Sequence, residues 1–236
     1  YETIQAAVDD ANEGDTIIVC EDQQLNDGVV IEVPGLTIKG FDKPTVDGNG
    51  NFSVFEILAD GVTIADLGIT NPEGDTGIES GDGLFTVPDI NDVTIRDNHL
   101  FEIGQGGGIA GIDVSDGNFT NLNIIGNTIE DITSDGNLWG MIFDGEGTIT
   151  DSTIKENKIR NLTDTSSVTG IDIRHFINNL TIEENHITHL TADGPADFSS
   201  AEGICISSES ITDLDIAQNT IEEVETENGF FGEDIK

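Results

Sequence analysis

Asp172, Arg174 and His175 place a carboxylate, a guanidinium and an imidazole within one short stretch. Asp113 stands at the position of Asp172 in an earlier copy of a repeated phrase, and Asp144 at that of Arg174. Carboxylates in register are the components of glycoside hydrolysis. One protonates the leaving oxygen and the other activates water, with about 6.5–9.5 Å between them for inversion. Asp113 and Asp172 lie two copies apart, about 9.6 Å if the copies stack as strands. If the chain is an enzyme, its catalytic residues come from Asp113, Asp144, Asp172, Arg174 and His175. Asp is so frequent here, however, that outward Asp in register is expected without any function.

The elements that hold these residues recur. VTIRDNHL from Val93 is matched by LNIIGNTI from Leu122, STIKENKI from Ser152, LTIEENHI from Leu180 and LDIAQNTI from Leu214. A period near 30 residues marks a solenoid, each repeat buried only by its neighbours. The phrase alternates with period 2 and is rich in β-branched residues, so it is a strand. A second phrase keeps the same period: GIDV at Gly111, GMIF at Gly140, GIDI at Gly170 and GICI at Gly203. The chain is therefore expected to be all-β, a right-handed parallel β-helix of about eight coils, right-handed because parallel crossovers are. Asn98, Asn127, Asn157, Asn185 and Asn219 fall at the bend between two strands. Stacked about 4.8 Å apart, their amides can bond coil to coil as a ladder.

Alternation puts Ile112, Met141, Ile171 and Ile204 inside. It leaves the Gly column outside as a flat channel beside Asp113, Ile142, Asp172 and Cys205. Gly111, Gly140, Gly170, Asp172 and Arg174 are then the ligand-binding candidates. The same alternation turns Trp139, in a column with Ala110, Thr169 and Glu202, toward the interior. The variable segments before the Gly phrase, 72–83, 104–108, 133–137, 164–168 and 191–202, are where function usually sits on such a scaffold. His186 and His189 have metal-like proximity but no third partner nearby. Glu156 and Glu184 stack one coil apart, which costs stability unless a cation lies between them.

Residues 3–13 have a helical pattern with Ile4, Ala7, Val8 and Ala11 on one face and Gly14 at the stop. This helix is expected to cap an open end of the stack. The chain divides into a cap (1–14), coils (15–224) and a tail (225–236) with Phe230 and Phe231. It is expected to be one domain cut from a longer or processed protein. No apolar run is long enough to span a membrane.

The 236 residues carry 47 Asp and Glu, 8 Lys and Arg, and a formal net charge of −39. No basic stripe is present for phosphate, so nucleic acid is excluded as a partner. Such self-repulsion is tolerated in molar salt, where the Debye length is about 3 Å, so the surface reads as that of a halophile. Cys20 and Cys205 lie about 29 Å apart along the stack, too far for a disulfide. Asn51, Asn118, Asn161 and Asn179 open N-x-Ser/Thr sequons, sites for glycans if the chain is exported.

TIQAAVDDANEGDTIIV, then GVVIEVPGLTIKG, PTVDG and ADGVTIADLGITN, resemble the N-terminal part of the pectin-lyase-like right-handed β-helix superfamily, most closely its NosD-like and archaeal surface-protein branch. The resemblance implies the fold and an extracellular or cell-surface location. Its enzymes would suggest carboxylates holding Ca²⁺ while Arg174 takes a proton; the hydrolase branch's Asn-Thr-Asp, Asp-Asp and Gly-His-Gly motifs are absent. The expected function is a structural, adhesive or filament-forming surface module, able to bind glycan and requiring no cofactor, with Ca²⁺ or another cation an option. Its partners would be polysaccharide, a cell-surface glycan, or copies of itself end to end. The alternative is a secreted polysaccharide lyase or glycoside hydrolase acting on acidic polysaccharide.

Overall fold

The computed structural model describes residues 1–71, 73–80, 89–104, 108–115, 117–194 and 199–226. They form a parallel β-solenoid with three sheets of ten, eight and seven strands. The Thr-Ile phrases build the first sheet, for example Thr94–Arg96, Thr148–Lys155 and Phe176–Glu183. The strands after the Asn build the second, including Thr128–Ser134, Lys158–Asp164 and His186–Ala192. The Gly phrases build the third, through Ile109–Ser115, Asn137–Asp144, Ser167–Ile173 and Ser200–Ile206.

The expected eight coils are not matched, since the solenoid has about five turns. The full repeat, with Asn at the bend, begins at residue 93. Before it the windings are shorter, Thr16 pairing with Thr37 and Thr37 with Thr63, through strands of two to five residues.

The interior is a stack of aliphatic columns. Ile95, Ile124, Ile154 and Ile182 lie in one register of the first sheet, and Ile129, Ile159 and Ile187 in one register of the second, all buried. Each such side chain contributes about 1.5–3 kcal/mol of burial. At the bend, Asn127 Nδ2 donates to Asn157 Oδ1 at 3.1 Å and to the Ile95 carbonyl at 2.9 Å. Asn157 Nδ2 repeats this with Asn185 Oδ1 at 3.0 Å and the Ile124 carbonyl at 2.8 Å. The same bonds link Asn98 to Asn127 and Asn185 to Asn219. From Asn127 on, each Oδ1 also accepts the preceding Asn backbone N–H, as Asn157 Oδ1 does from Asn127 at 2.9 Å, and Asn98 Oδ1 accepts that of Leu67. Every polar atom of a mid-stack amide is thus satisfied although the residue is buried.

Outside, the sharp turns use left-handed backbone, which Asn and Asp tolerate best. Asp92, Asn121, Asp151, Asn179 and Asp213 occupy one such column and alternate acid with amide. Asn121 donates to Asp92 at 2.6 Å and Asn179 to Asp151 at 2.7 Å. The alternation keeps carboxylates two turns apart and gives them donors. Glu156 and Glu184 do stack, and Lys155 is the cation beside them, 3.6 Å from one and 3.7 Å from the other, with Glu183 at 2.9 Å.

The N-terminal helix spans Ile4–Asp9, shorter than the pattern over 3–13, because Asp10 closes it. Thr3 caps it by accepting from the Ala6 N–H, and Ile4, Ala7 and Val8 are buried. Gln5 extends the third sheet with its side chain: Oε1 accepts the Val30 N–H at 2.8 Å and Nε2 donates to the Val30 carbonyl at 3.3 Å. An amide thereby stands in for a strand at the open edge. At the other end Ile211 and Ile216 are 50% and 48% exposed. Residues 227–236, including Phe230 and Phe231, lie outside the described residues, as do parts of the variable segments at 81–88, 105–107 and 195–198.

Candidate functional site

The third sheet does not alternate simply. Ile109 pairs with Leu138 and Ala110 with Trp139, then the register resumes at Ile112 with Met141, passing over Gly111 and Gly140. The glycines face inward. A Cβ on Gly140 would lie 2.7 Å from Ile159 Cγ2 and 2.6 Å from the Gly170 carbonyl oxygen; Gly111 and Gly170 meet Ile129 and Ile187 in the same way. The expectation of an outward Gly channel is therefore overturned, and Gly111, Gly140 and Gly170 are not ligand-facing. The chain turns a corner at each Gly, where only hydrogen fits against the second sheet. Two consecutive positions, Gly140 and Met141, point inward.

The slip sends Trp139 outward, against the expectation that its column faces the interior. It is partly exposed on the outer face, and its Nε1 donates to Asp172 Oδ2 at 3.2 Å. Arg174 approaches the same oxygen through Nε at 3.1 Å and Nη2 at 2.7 Å, and reaches Asp144 Oδ2 through Nη1 at 3.2 Å. Its guanidinium carbon lies 5.7 Å from the Trp139 ring centroid, a cation–π contact. Trp139, Asp172 and Arg174 line a shallow groove of about 320 Å³ together with Glu202 and Cys205.

Asp172 is 4% exposed, and its Oδ1 is buried with no hydrogen-bond partner. Such an atom costs about 1–3 kcal/mol, more when charged, unless something donates to it. Burial opposes the charge on Arg174, but the hydrogen bond and charge of Asp172, with the charge of Asp144, outweigh it and hold the guanidinium above its ordinary value. Arg174 is accordingly a fixed cation and cannot take up a proton. Burial, then the neighbouring Glu202 and Asp172, push the Cys205 thiol up to about 12, so it is not a thiolate at neutral pH.

Of the remaining candidates, His175 leaves the site. It is fully buried, its ring edge-on to Phe119 at 5.9 Å between centroids. Asp113 sits in register two strands away with Ile142 between it and Asp172, and it accepts a bond from Ser115 Oγ. Asp113, Asp144 and Asp172 do not form a free pair, since Arg174 engages the last two. Among the described residues no group of three or more His, Cys, Asp or Glu is placed to hold a metal ion. The groove does not fit Ca²⁺ either, because the Arg174 guanidinium already sits between Asp144 and Asp172. Cys20 and Cys205 are both free thiols.

All four sequon amides are committed to the protein. Asn51 donates to the Gly48 carbonyl, Asn118 to Asp89, Asn161 to Asp131 and Asn179 to Asp151; the last three are exposed. Among the described residues no helix is long and apolar enough to cross a membrane.

The chain matches no protein-family profile and no curated protein sequence. Among solved structures it is distantly similar to the Siphovirus 9NA tailspike receptor binding domain. The identity is 11% and the TM-score 0.21, over 100% of this chain and 76% of that one.

Proposed function

We propose that this chain is a right-handed β-helix module of an extracellular or cell-surface protein, working in high salt, that binds glycan in the groove around Trp139 rather than cleaving it. The observation that carries the reading is Asp172 Oδ1, a buried acceptor without a donor beside an exposed indole. A sugar supplies what is missing: a hydroxyl to donate and an apolar face to lie against the ring. Serines, threonine and Asn137 along the same strands add further hydroxyl-matching groups. Asp172 and Glu202 in the groove, with Asp144 on the far side of Arg174, outnumber that one cation, so the groove favours a neutral sugar over a uronate. Ile211 and Ile216, half exposed in the last described strand of the first sheet, support an end-to-end structural role as well.

Calorimetric titration with neutral and acidic oligosaccharides tests this, alongside an assay for chain shortening. Binding without cleavage, lost in Trp139→Ala and Asp172→Ala, is expected. Depolymerisation by the unmodified protein would instead establish the lyase or hydrolase alternative.

A further inference from the structure

A second groove, on the outer face of the second sheet, has the opposite charge. It is lined by Lys158, Arg160, Asn161, His186, Thr188 and His189, and no carboxylate lines it. In a chain with 47 acids and 8 Lys and Arg, that is a marked segregation. Lys158 and His186 are direct cross-strand partners on neighbouring turns, and both are exposed. Lys155, three residues away, is ringed by Glu156, Glu183 and Glu184; Lys158 makes no ion pair among the described residues. Two groups able to carry positive charge placed side by side oppose folding unless an anion lies between them. Glu222, in register with Thr188 on the next turn, is exposed and forms no ion pair with Lys158 or His186 among the described residues, and the other neighbouring carboxylates are engaged elsewhere. Arg160 holds Glu130 through its Nε, His99 shares that carboxylate at 2.7 Å, and Glu223 pairs with His189. Asp131 accepts from Asn161 at 2.9 Å. Thr188, 8% exposed, forms the floor, its hydroxyl against His189 Nδ1.

We propose that this groove binds a tetrahedral oxyanion, sulfate or phosphate, free or as a sugar ester. Lys158 supplies a mobile ammonium, Arg160 a guanidinium and His186 a ring N–H, three donor types that suit an anion with acceptors on every side. The site lies on a different sheet from the Trp139 groove and does not depend on it.

The test is NMR observation of the His186 and His189 rings while sodium sulfate replaces chloride at constant ionic strength. Parallel titrations use phosphate, a sulfated oligosaccharide and its unsulfated parent. A saturating shift with sulfate or phosphate is expected, weakened about tenfold or more in Lys158→Gln, the loss of one charge-assisted contact. Lys158→Arg should keep the shift. Tighter binding of the sulfated sugar than of free sulfate identifies an ester as the ligand; equal binding identifies the free ion. A shift that never saturates, that survives unchanged in Lys158→Gln, or that the unsulfated sugar also produces overturns the proposal. Both variants are exposed substitutions, and circular dichroism confirms the fold in each.

Discussion

Gly140 lies against Ile159, so close that a methyl group on it would stand 2.7 Å from Ile159 Cγ2. The hydrogen-sized gap lets the third sheet press on the second, and it shifts the side-chain alternation by one residue. That shift puts Trp139 in the groove with Asp172. Gly140→Ala is expected to cost about 1–3 kcal/mol through overpacking. Urea unfolding measures it. Tryptophan fluorescence should also change, because relieving the clash moves the strand that carries Trp139.

Asn157→Ala should be the most damaging of the polar substitutions. It leaves the Asn127 backbone N–H without its acceptor, at about 1–3 kcal/mol for a buried group left unsatisfied. It also removes one of the bonds made by the Asn127 amide and by Asn185 Oδ1, and the side-chain bond to the Ile124 carbonyl. Asn161→Gly should cost little, since that side chain is exposed, bonds only Asp131 among the described residues, and sits in left-handed backbone that glycine accepts. Asn161→Ala should cost about 1–2 kcal/mol more than the glycine variant, from the backbone alone. Equal losses at 157 and 161 by chemical denaturation would contradict the ladder's role.

Glu130 links charge to pH. Burial works to raise it, but hydrogen bonds from Arg160 and His99 outweigh burial and hold its carboxyl below the ordinary range. A carboxylate with a lowered folded-state value stabilises the fold above its unfolded value, about 4.3, and that stabilisation is lost as pH falls through the folded value. Glu130→Gln should therefore lower the melting temperature at pH 7, and the gap to the parent protein should close as the pH falls below the unfolded value and through the lower folded one. A gap that stays constant down to pH 3 would show that the ion pairs contribute nothing.

Salt should act on the whole molecule. With −39 formal charges, self-repulsion penalises the compact state in dilute buffer, and molar salt screens it. The melting temperature is expected to rise steadily from low to molar sodium chloride. A melting temperature independent of salt would remove the case for a high-salt habitat.

The solenoid was legible because its signals are local and repeat. A strand of period 2, an Asn at each bend and a fixed spacing force neighbouring copies into register, and the stacked Ile columns and amide ladder follow from that alone. The N-terminal helix was legible from its apolar face, though its end at Asp9 rather than near Gly14 was not. The turn count was not legible either, because the windings before residue 93 are shorter and carry no bend Asn to mark them.

The site was legible only in part. Asp144, Asp172 and Arg174 were visible as an outward column and do converge. Which way Trp139, His175 and the glycines point was decided by how closely two sheets approach. Alternation assumes an unbroken strand, and a glycine that turns a corner breaks it without any change in the phrase's period. The spacing of residues fixes which side chains share a turn. Only the packing of one sheet against the next decides which of them reach the surface, because there a single Cβ is the difference between clash and contact.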